Sequence, residues 1–308
     1  MSTRLPSGLL CASLTPFRPD SSIAIEPLAD HVRWLLENGC DGVLLFGTVG
    51  EGLSLTVEER TDGLHHLLEW GLPAERLLVG TGALPLPDVA QLTETVTQEQ
   101  VGGVLVMPPF HYRQIPDEGV FRFYDQLVQK VGREELRLYF YHYPKLSGVP
   151  IPFDTIQRLQ NTYPAQIAGI KDSEGEWDHT EALCRDFPDL QVFSGQERLL
   201  LPVLRAGGAG GISALANLAA PLAGQVLSEW RAEEAPEQAH DQLTRLRSAF
   251  APVPTIAALK HVLAQRKADP TWTPVRPPLA PLDPDDEERV NEIASRLPNS
   301  GDLPGRAA

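Results

Sequence analysis

The stretch "QIAGIKDSEGEW", residues 166–177, opens as a continuous apolar run and ends its run on Lys171. Apolar residues without polar alternation are how a strand of a parallel sheet reads when both of its faces are covered. Seven other runs share this character. They are "GLLCASLTPF" (8–17), "GVLLFG" (42–47), "RLLVGTG" (76–82), "GGVLVMPP" (102–109), "LRLYFYHYP" (136–144), "LQVFSG" (190–195) and "GGISAL" (210–215). Amphipathic helical stretches lie between them, among them "IEPLADHVRWLLENG", "TVEERTDGLHHLLEWG", "LPDVAQLTETVTQEQ" and "FDTIQRLQNTYP". Parallel neighbours need a crossover helix, so eight alternations of strand and helix predict an α/β fold of the (β/α)8 TIM-barrel type. An open doubly wound sheet gives much the same pattern; the eightfold count favours the closed barrel.

After residue 217 the strand signal stops, so the barrel is assigned to residues 1–217 and a C-terminal helical extension to 218–308. Thr56 and Glu59 form a capping box for the second helix, with Gly71 as its stop. The last helix starts at Asp283, with Pro284 in the first turn. The Pro-rich "DPTWTPVRPPLAPL" before it reads as an ordered, wrapping connection, and the tail "PNSGDLPGRAA" as frayed.

Composition narrows the function classes. With 42% hydrophobic and 22% charged residues the chain has the make-up of a globular protein. A formal charge of −15 argues against a nucleic-acid surface, which needs clustered cations. No apolar run reaches the roughly 18 residues of a membrane span, and the N-terminus lacks a secretory pattern, so the expected compartment is the cytoplasm. Cys11, Cys40 and Cys184 are too scattered for a disulfide framework and read as buried thiols.

In a barrel of this kind the reacting groups sit at the C-terminal ends of strands and on the loops that follow. That filter selects "GTVGEG", "YHYP", "KDS", "SGQE" and "GISA". Lys171, held among Ile167, Ala168 and Ile170, is expected to have its charged form disfavoured. A neutral amine condenses with a ketone, and the resulting imine lets a neighbouring C–C bond break through an enamine. The competing reading is a lysine that snorkels to the rim or pairs with Asp172. Tyr141, ending the adjacent strand, is either a proton relay or a core aromatic. "GTVGEG" offers backbone N–H groups and the Thr48 hydroxyl to a small anion, or is simply a tight βα turn that wants glycine. "AGGAGGISA" carries the same two readings.

Taken in order, "LTPF", "GTVGEG", "YHYPKLSG", "GIKDS", "FSG" and "GGAGGISALAN" resemble the dihydrodipicolinate synthase/N-acetylneuraminate lyase family of Schiff-base-forming barrel enzymes, over nearly the whole chain. The resemblance implies that Lys171 is the Schiff-base nucleophile and Tyr141 the relay tyrosine of a Y-x-x-P motif. It implies that Thr48, with the backbone around Gly47 and Val49, binds the carboxylate of a pyruvyl group, and that Gly211 and Ile212 help line the pyruvate pocket. It implies no metal or organic cofactor, a 2-oxo acid such as pyruvate and an aldehyde as partners, and a homotetramer built as a dimer of dimers.

Three departures bear on substrate. Where the lysine-pathway synthase of the family has an arginine five residues after the relay tyrosine, this chain has Leu146. Val49 replaces a second threonine, and Phe110 stands near the position of an interface tyrosine, with Tyr112 as a neighbouring substitute. "YHYP" and "RPPLAPLDPDD" are closer to the 2-keto-3-deoxy sugar acid aldolases of the family. In that reading Tyr143, Ser173, Gln196, Glu197 and Ser213 offer hydrogen bonds to a polyol chain, against the ordinary alternative of solvated loop groups. The expectation is a class I lyase cleaving a 2-keto-3-deoxy or 4-hydroxy-2-oxo acid. A 4-hydroxy-tetrahydrodipicolinate synthase, a dehydratase of the family and a non-catalytic 2-oxo acid binder are the alternatives.

Overall fold

The structure, a computed structural model, describes residues 5–297. Eight parallel strands close on themselves in sequence order: β1 Gly8–Ala12, β2 Gly42–Leu45, β3 Leu77–Gly80, β4 Gly103–Val106, β5 Leu138–His142, β6 Ile167–Asp172, β7 Gln191–Ser194 and β8 Gly210–Ser213, with β8 pairing back onto β1. The doubly wound alternative is thereby set aside. Continuous apolar sequence is what such strands need, because one face meets the helices and the other fills the barrel.

The helices of the first half are α1 Ile25–Glu37, α2 Val57–Glu69, α3 Leu86–Gln98 and α4 Asp117–Val131. A one-turn α5, Pro144–Ser147, precedes α6 Phe153–Thr162, and α7 Trp177–Asp186 and α8 Leu200–Arg205 follow. Thr56 and Glu59 make the capping box of α2 as the sequence predicts, and Gly71 follows its end with φ of 80°. Helix α9, Ala216–Arg231, packs on β1. Beyond it come α10 Glu237–Ala249, α11 Thr255–Lys267 and α12 Pro284–Ala294, the last capped by Asp283 through the Asp286 N–H. The Pro-rich connection is ordered around the fully buried Trp272. The tail "PNSGDLPGRAA" lies outside the described residues. All three cysteines are buried free thiols.

Two apolar cores result. The larger lies between strands and helices. The smaller fills the barrel with Leu10, Leu44, Leu78, Leu105, Tyr139, Phe193 and Ile212. Tyr139 spans this interior because its neighbours there are glycines: a Cβ on Gly103 or Gly169 would come within 2.5 or 2.7 Å of its ring. No helix among the described residues is long and apolar enough to cross a membrane.

Candidate active site

Strand β6 places Lys171 by an irregularity. Ile167 and Ile170 both belong to the outer core, although residues three apart on a regular strand face opposite ways. Pairing with β5 runs Leu138↔Ile167 and then Tyr139↔Gly169, so Ala168 is an extra residue, a β-bulge. Past the bulge, Gly169 and Lys171 share the inner face with Tyr139 and Tyr141. Had residues 167–171 alternated evenly, Lys171 would have joined Ile167 among the helices. The immediate surroundings of the lysine therefore differ from the sequence expectation. Ile167 and Ile170 turn away, and its register partners are Tyr141 on β5 and Phe193 on β7.

Lys171 is 6% exposed, so it does not reach out to the rim. Its Nζ lies 4.5 Å from the centre of the Tyr141 ring. The Tyr141 hydroxyl is 3.4 Å from Thr48 Oγ1, which arrives on the turn after β2. A small hollow, of about 30 Å³, opens between Phe46, Gly47, Thr48, Leu53, Gly80, Gly82, Leu105, Met107 and Tyr141. Tyr141 thus joins this hollow to the lysine. Leu53 and Met107 are lining residues the sequence did not single out; Met107 follows the end of β4, where the strand-end rule applies equally.

The remaining predicted residues divide. Tyr143 packs beside Tyr141, ring centres 6.1 Å apart, and Ile212 lies in the barrel interior with Gly211 next to it on β8. Val49 is partly buried against both cores. Ser173 is buried, its N–H donating to His142 O and its carbonyl accepting from Gln196 Nε2. Glu197 and Ser213 are bound to the protein itself. Ser213 Oγ donates to Glu197 Oε1 at 2.7 Å and accepts the Ala216 N–H at the start of α9. Glu197 also accepts the Leu215 N–H and faces Arg247 from α10. Leu146 is exposed on α5, Phe110 is half-buried, and Tyr112 stands exposed beside His111.

On the outward side of the same strand ends, His142, Asp172, Glu174 and His179 bring four potential ligand atoms within 4.8 Å of one another. The geometry suits hydrogen bonds better than a metal ion. The two imidazoles are stacked, centres 4.4 Å apart and planes at 17°, so their in-plane lone pairs do not converge on one point. The Ile151 N–H also donates to His142 Nδ1, which leaves the ring proton on Nε2, facing Glu174 at 3.2 Å. Asp172 accepts from His179 Nδ1 at 3.0 Å and from Thr180 Oγ1 at 2.7 Å, and so it is no partner of Lys171. Burial, helped by the neighbouring His179, lowers the pKa of His142. Burial works against charge on His179 too, but the Asp172 hydrogen bond with the charges of Asp172 and Glu174 outweighs it and raises the pKa. For Asp172 burial pushes upward, and the hydrogen bonds from His179, Thr180 and the Glu174 N–H prevail, leaving it below the usual carboxylate value.

A closed barrel with a buried lysine inside its C-terminal mouth, an aromatic hydroxyl beside it and a threonine-bearing glycine turn opposite defines a class of barrel lyases that work through a lysine. The chain belongs to the dihydrodipicolinate synthetase family, whose model matches residues 5–297, and it is a pyruvate-dependent lyase of that family, for which the Schiff base is characteristic. It is 33% identical over 297 residues to a DapA-like lyase of Chloroflexus aurantiacus, covering 95% of this chain and 97% of that one. A 4-hydroxy-tetrahydrodipicolinate synthase of Hydrogenobaculum is 25% identical, covering 94% and 98%. Among solved structures, dihydrodipicolinate synthase from Agrobacterium tumefaciens superposes with a TM-score of 0.85 at 30% identity, covering 94% and 99%. A Ruminococcus gnavus sialic acid aldolase shares the fold, with a TM-score of 0.84 at 16% identity and 94% of each chain covered.

Proposed function

We propose that this lyase catalyses reversible aldol cleavage of a 4-hydroxy-2-oxo acid, such as a 2-keto-3-deoxy sugar acid, to pyruvate and an aldehyde. The observation that carries the reading is the chain of contacts Lys171, Tyr141, Thr48 at the mouth of a barrel whose interior is apolar. Lys171 Nζ adds to the C2 carbonyl of the substrate and, with loss of water, gives an iminium ion. Tyr141 Oη gives its proton to the hydroxyl that leaves C2 as water, and the resulting phenolate takes the proton of the C4 hydroxyl as the C3–C4 bond breaks; that electron pair becomes the enamine and the aldehyde leaves. Protonation at C3 and addition of water at C2 then release pyruvate and return the amine. Thr48 and the N–H groups of its turn hold the substrate carboxylate, and Gly211 and Ile212 form the opposite wall.

Two features favour cleavage over the synthase reaction of the Hydrogenobaculum relative. Leu146, apolar and exposed, offers no charge to a second carboxylate, and Val49 offers no hydroxyl beside Thr48. Glu197 and Ser213 contribute to a polyol subsite only by giving up their bond to each other, so Tyr143 and Ser173 are the better partners for substrate hydroxyls. A dimer-of-dimers assembly in the cytoplasm belongs to the same proposal.

The test is borohydride reduction with pyruvate followed by peptide mass spectrometry, alongside a screen of 2-keto-3-deoxy acids, 4-hydroxy-2-oxoglutarate and N-acetylneuraminate for pyruvate release. An adduct on Lys171 with aldehyde production supports the reading. Turnover only in a coupled assay with pyruvate and aspartate semialdehyde replaces it with the synthase; loss of water without an aldehyde replaces it with the dehydratase.

A further inference from the structure

The turn that carries Thr48 is fastened from outside the barrel. Within it the Glu51 N–H donates to Thr48 O at 3.1 Å and the Gly52 N–H to Gly47 O at 3.0 Å, and Thr15 Oγ1 donates to Gly50 O at 2.7 Å. Glu51 holds φ at 56°, a left-handed conformation that a residue with a Cβ adopts at a cost. Both of its carboxylate oxygens are taken by chain from the C-terminal extension. Lys260 Nζ on α11 donates to Oε1 at 2.6 Å, and the Arg276 N–H, on the Pro-rich connection, donates to Oε2 at 2.7 Å. Neither Lys260 nor Glu51 exposes any side-chain surface. Lys260 also lies over the Phe17 ring at 4.3 Å, and Arg276 stacks on the same ring while pairing with Glu59.

A buried ion pair is a poor source of stability, since apolar side chains of like size often serve as well. What it supplies is direction. One carboxylate gripped at both oxygens leaves a six-residue turn little freedom, and that turn presents its threonine hydroxyl to Tyr141.

We propose that Lys260, acting through Glu51, is a positioning residue for the carboxylate subsite: the C-terminal extension fixes the turn at residues 47–52 so that Thr48 meets the bound 2-oxo acid. The proposal deepens the functional reading above and rests on its assignment of Thr48.

The test compares the full-length protein with its Lys260→Met variant in two measurements. The first is the pyruvate concentration giving half-maximal borohydride trapping on Lys171. The second is amide hydrogen exchange in peptides covering 47–52 and, as reference, β6. In the folded variant the half-maximal concentration is expected to rise about tenfold or more while trapping still goes to completion at saturation, and exchange at 47–52 to quicken by a similar factor with β6 unchanged. A purely structural pair lowers Tm and leaves pyruvate affinity and local exchange as they were, and that result overturns the proposal. Faster exchange with unaltered affinity overturns it as well. If Lys260→Met does not fold, the Glu51→Gln/Lys260→Met double variant leaves no buried charge and carries the same expectation: parental affinity in it refutes the positioning role. Absence of any adduct on the parent protein is a distinct outcome, which removes the Schiff-base reading and the positioning role together.

Discussion

Tyr141 and Lys171 are register partners on adjacent strands, and the lysine Nζ stands 4.5 Å from the centre of the tyrosine ring. Two side chains so placed are carried by backbone hydrogen bonds of the barrel, so neither depends on a mobile loop for its position. The ring covers one side of the amine, and its hydroxyl extends toward Thr48, where the substrate carboxylate and C4 hydroxyl are proposed to lie. Replacing Lys171 by Ala is expected to abolish both the borohydride adduct and pyruvate release. Tyr141→Phe keeps the ring and loses the relay, so the adduct still forms, more slowly, while kcat falls by about 10²–10⁴-fold, the usual worth of a positioned proton-transfer group. Equal cleavage rates for Tyr141→Phe and parent, measured by aldehyde release, contradict the assigned role.

Thr48 contributes a hydroxyl 3.4 Å from that of Tyr141 on a turn with little room to adjust. Thr48→Val keeps the shape and deletes the donor. A hydrogen bond to a charged group is worth about 1.5–3 kcal/mol, so KM for the 2-oxo acid is expected to rise about tenfold or more, with Tm unchanged. Steady-state kinetics at several substrate concentrations separates this from a loss in kcat alone.

Much of this site could be read from the sequence because its logic is periodic. Eight apolar runs separated by helices favour a closed sheet, and the end of each strand then marks where chemistry belongs; that rule puts Lys171, Tyr141 and Thr48 on a short list, and the family resemblance gives them their expected roles. What escaped depends on the third dimension. Ala168 looks like any strand residue, and the bulge it forms is visible only in the pairing with β5. Glu51 and Lys260 stand 209 positions apart, and Lys260 lies in the apolar "AALKHVL" with no charge nearby to announce a partner. Glu197 and Ser213 read as free rim polars, whereas the fold turns them on each other. His142 and Asp172 lie one place beyond Tyr141 and Lys171, yet strand alternation sends them to the opposite face, where His179 meets them.

That outward cluster makes stability depend on pH. His179 has its pKa raised in the folded state, so its contribution is complete below the unfolded value of about 6.5 and fades as pH climbs through the folded value. Asp172 has its pKa lowered, so its share is present above about 3.9 and is lost as pH falls through the folded value. Their bond therefore contributes most between about pH 4 and 6.5. His179→Gln removes the charge, and the Tm gap between parent and variant is expected to be several degrees near pH 5.5 and to shrink by pH 8.5. A gap that does not change between those two values, measured by differential scanning calorimetry, counts against the charged His179–Asp172 pair.

The bulge at Ala168 yields a pair of opposite outcomes from two one-residue changes. Deleting Ala168 removes the extra residue itself: Ile167 stays opposite Leu138, Gly169 opposite Tyr139 and Lys171 opposite Tyr141, now in regular pairing. The lysine keeps its inward direction, and trapping with pyruvate is expected to persist, at some loss of stability from the vacated interior methyl. Inserting an alanine between Gly169 and Ile170 acts beyond the bulge. A shift of one residue reverses the face of everything that follows, so Lys171 is sent toward the helices or displaced along the strand, away from Tyr141. Trapping on that lysine is then expected to vanish. Both variants are to be compared by circular dichroism and adduct mass at equal soluble concentration. An insertion variant that folds and still reacts at Lys171 means that side-chain direction on β6 does not govern the chemistry.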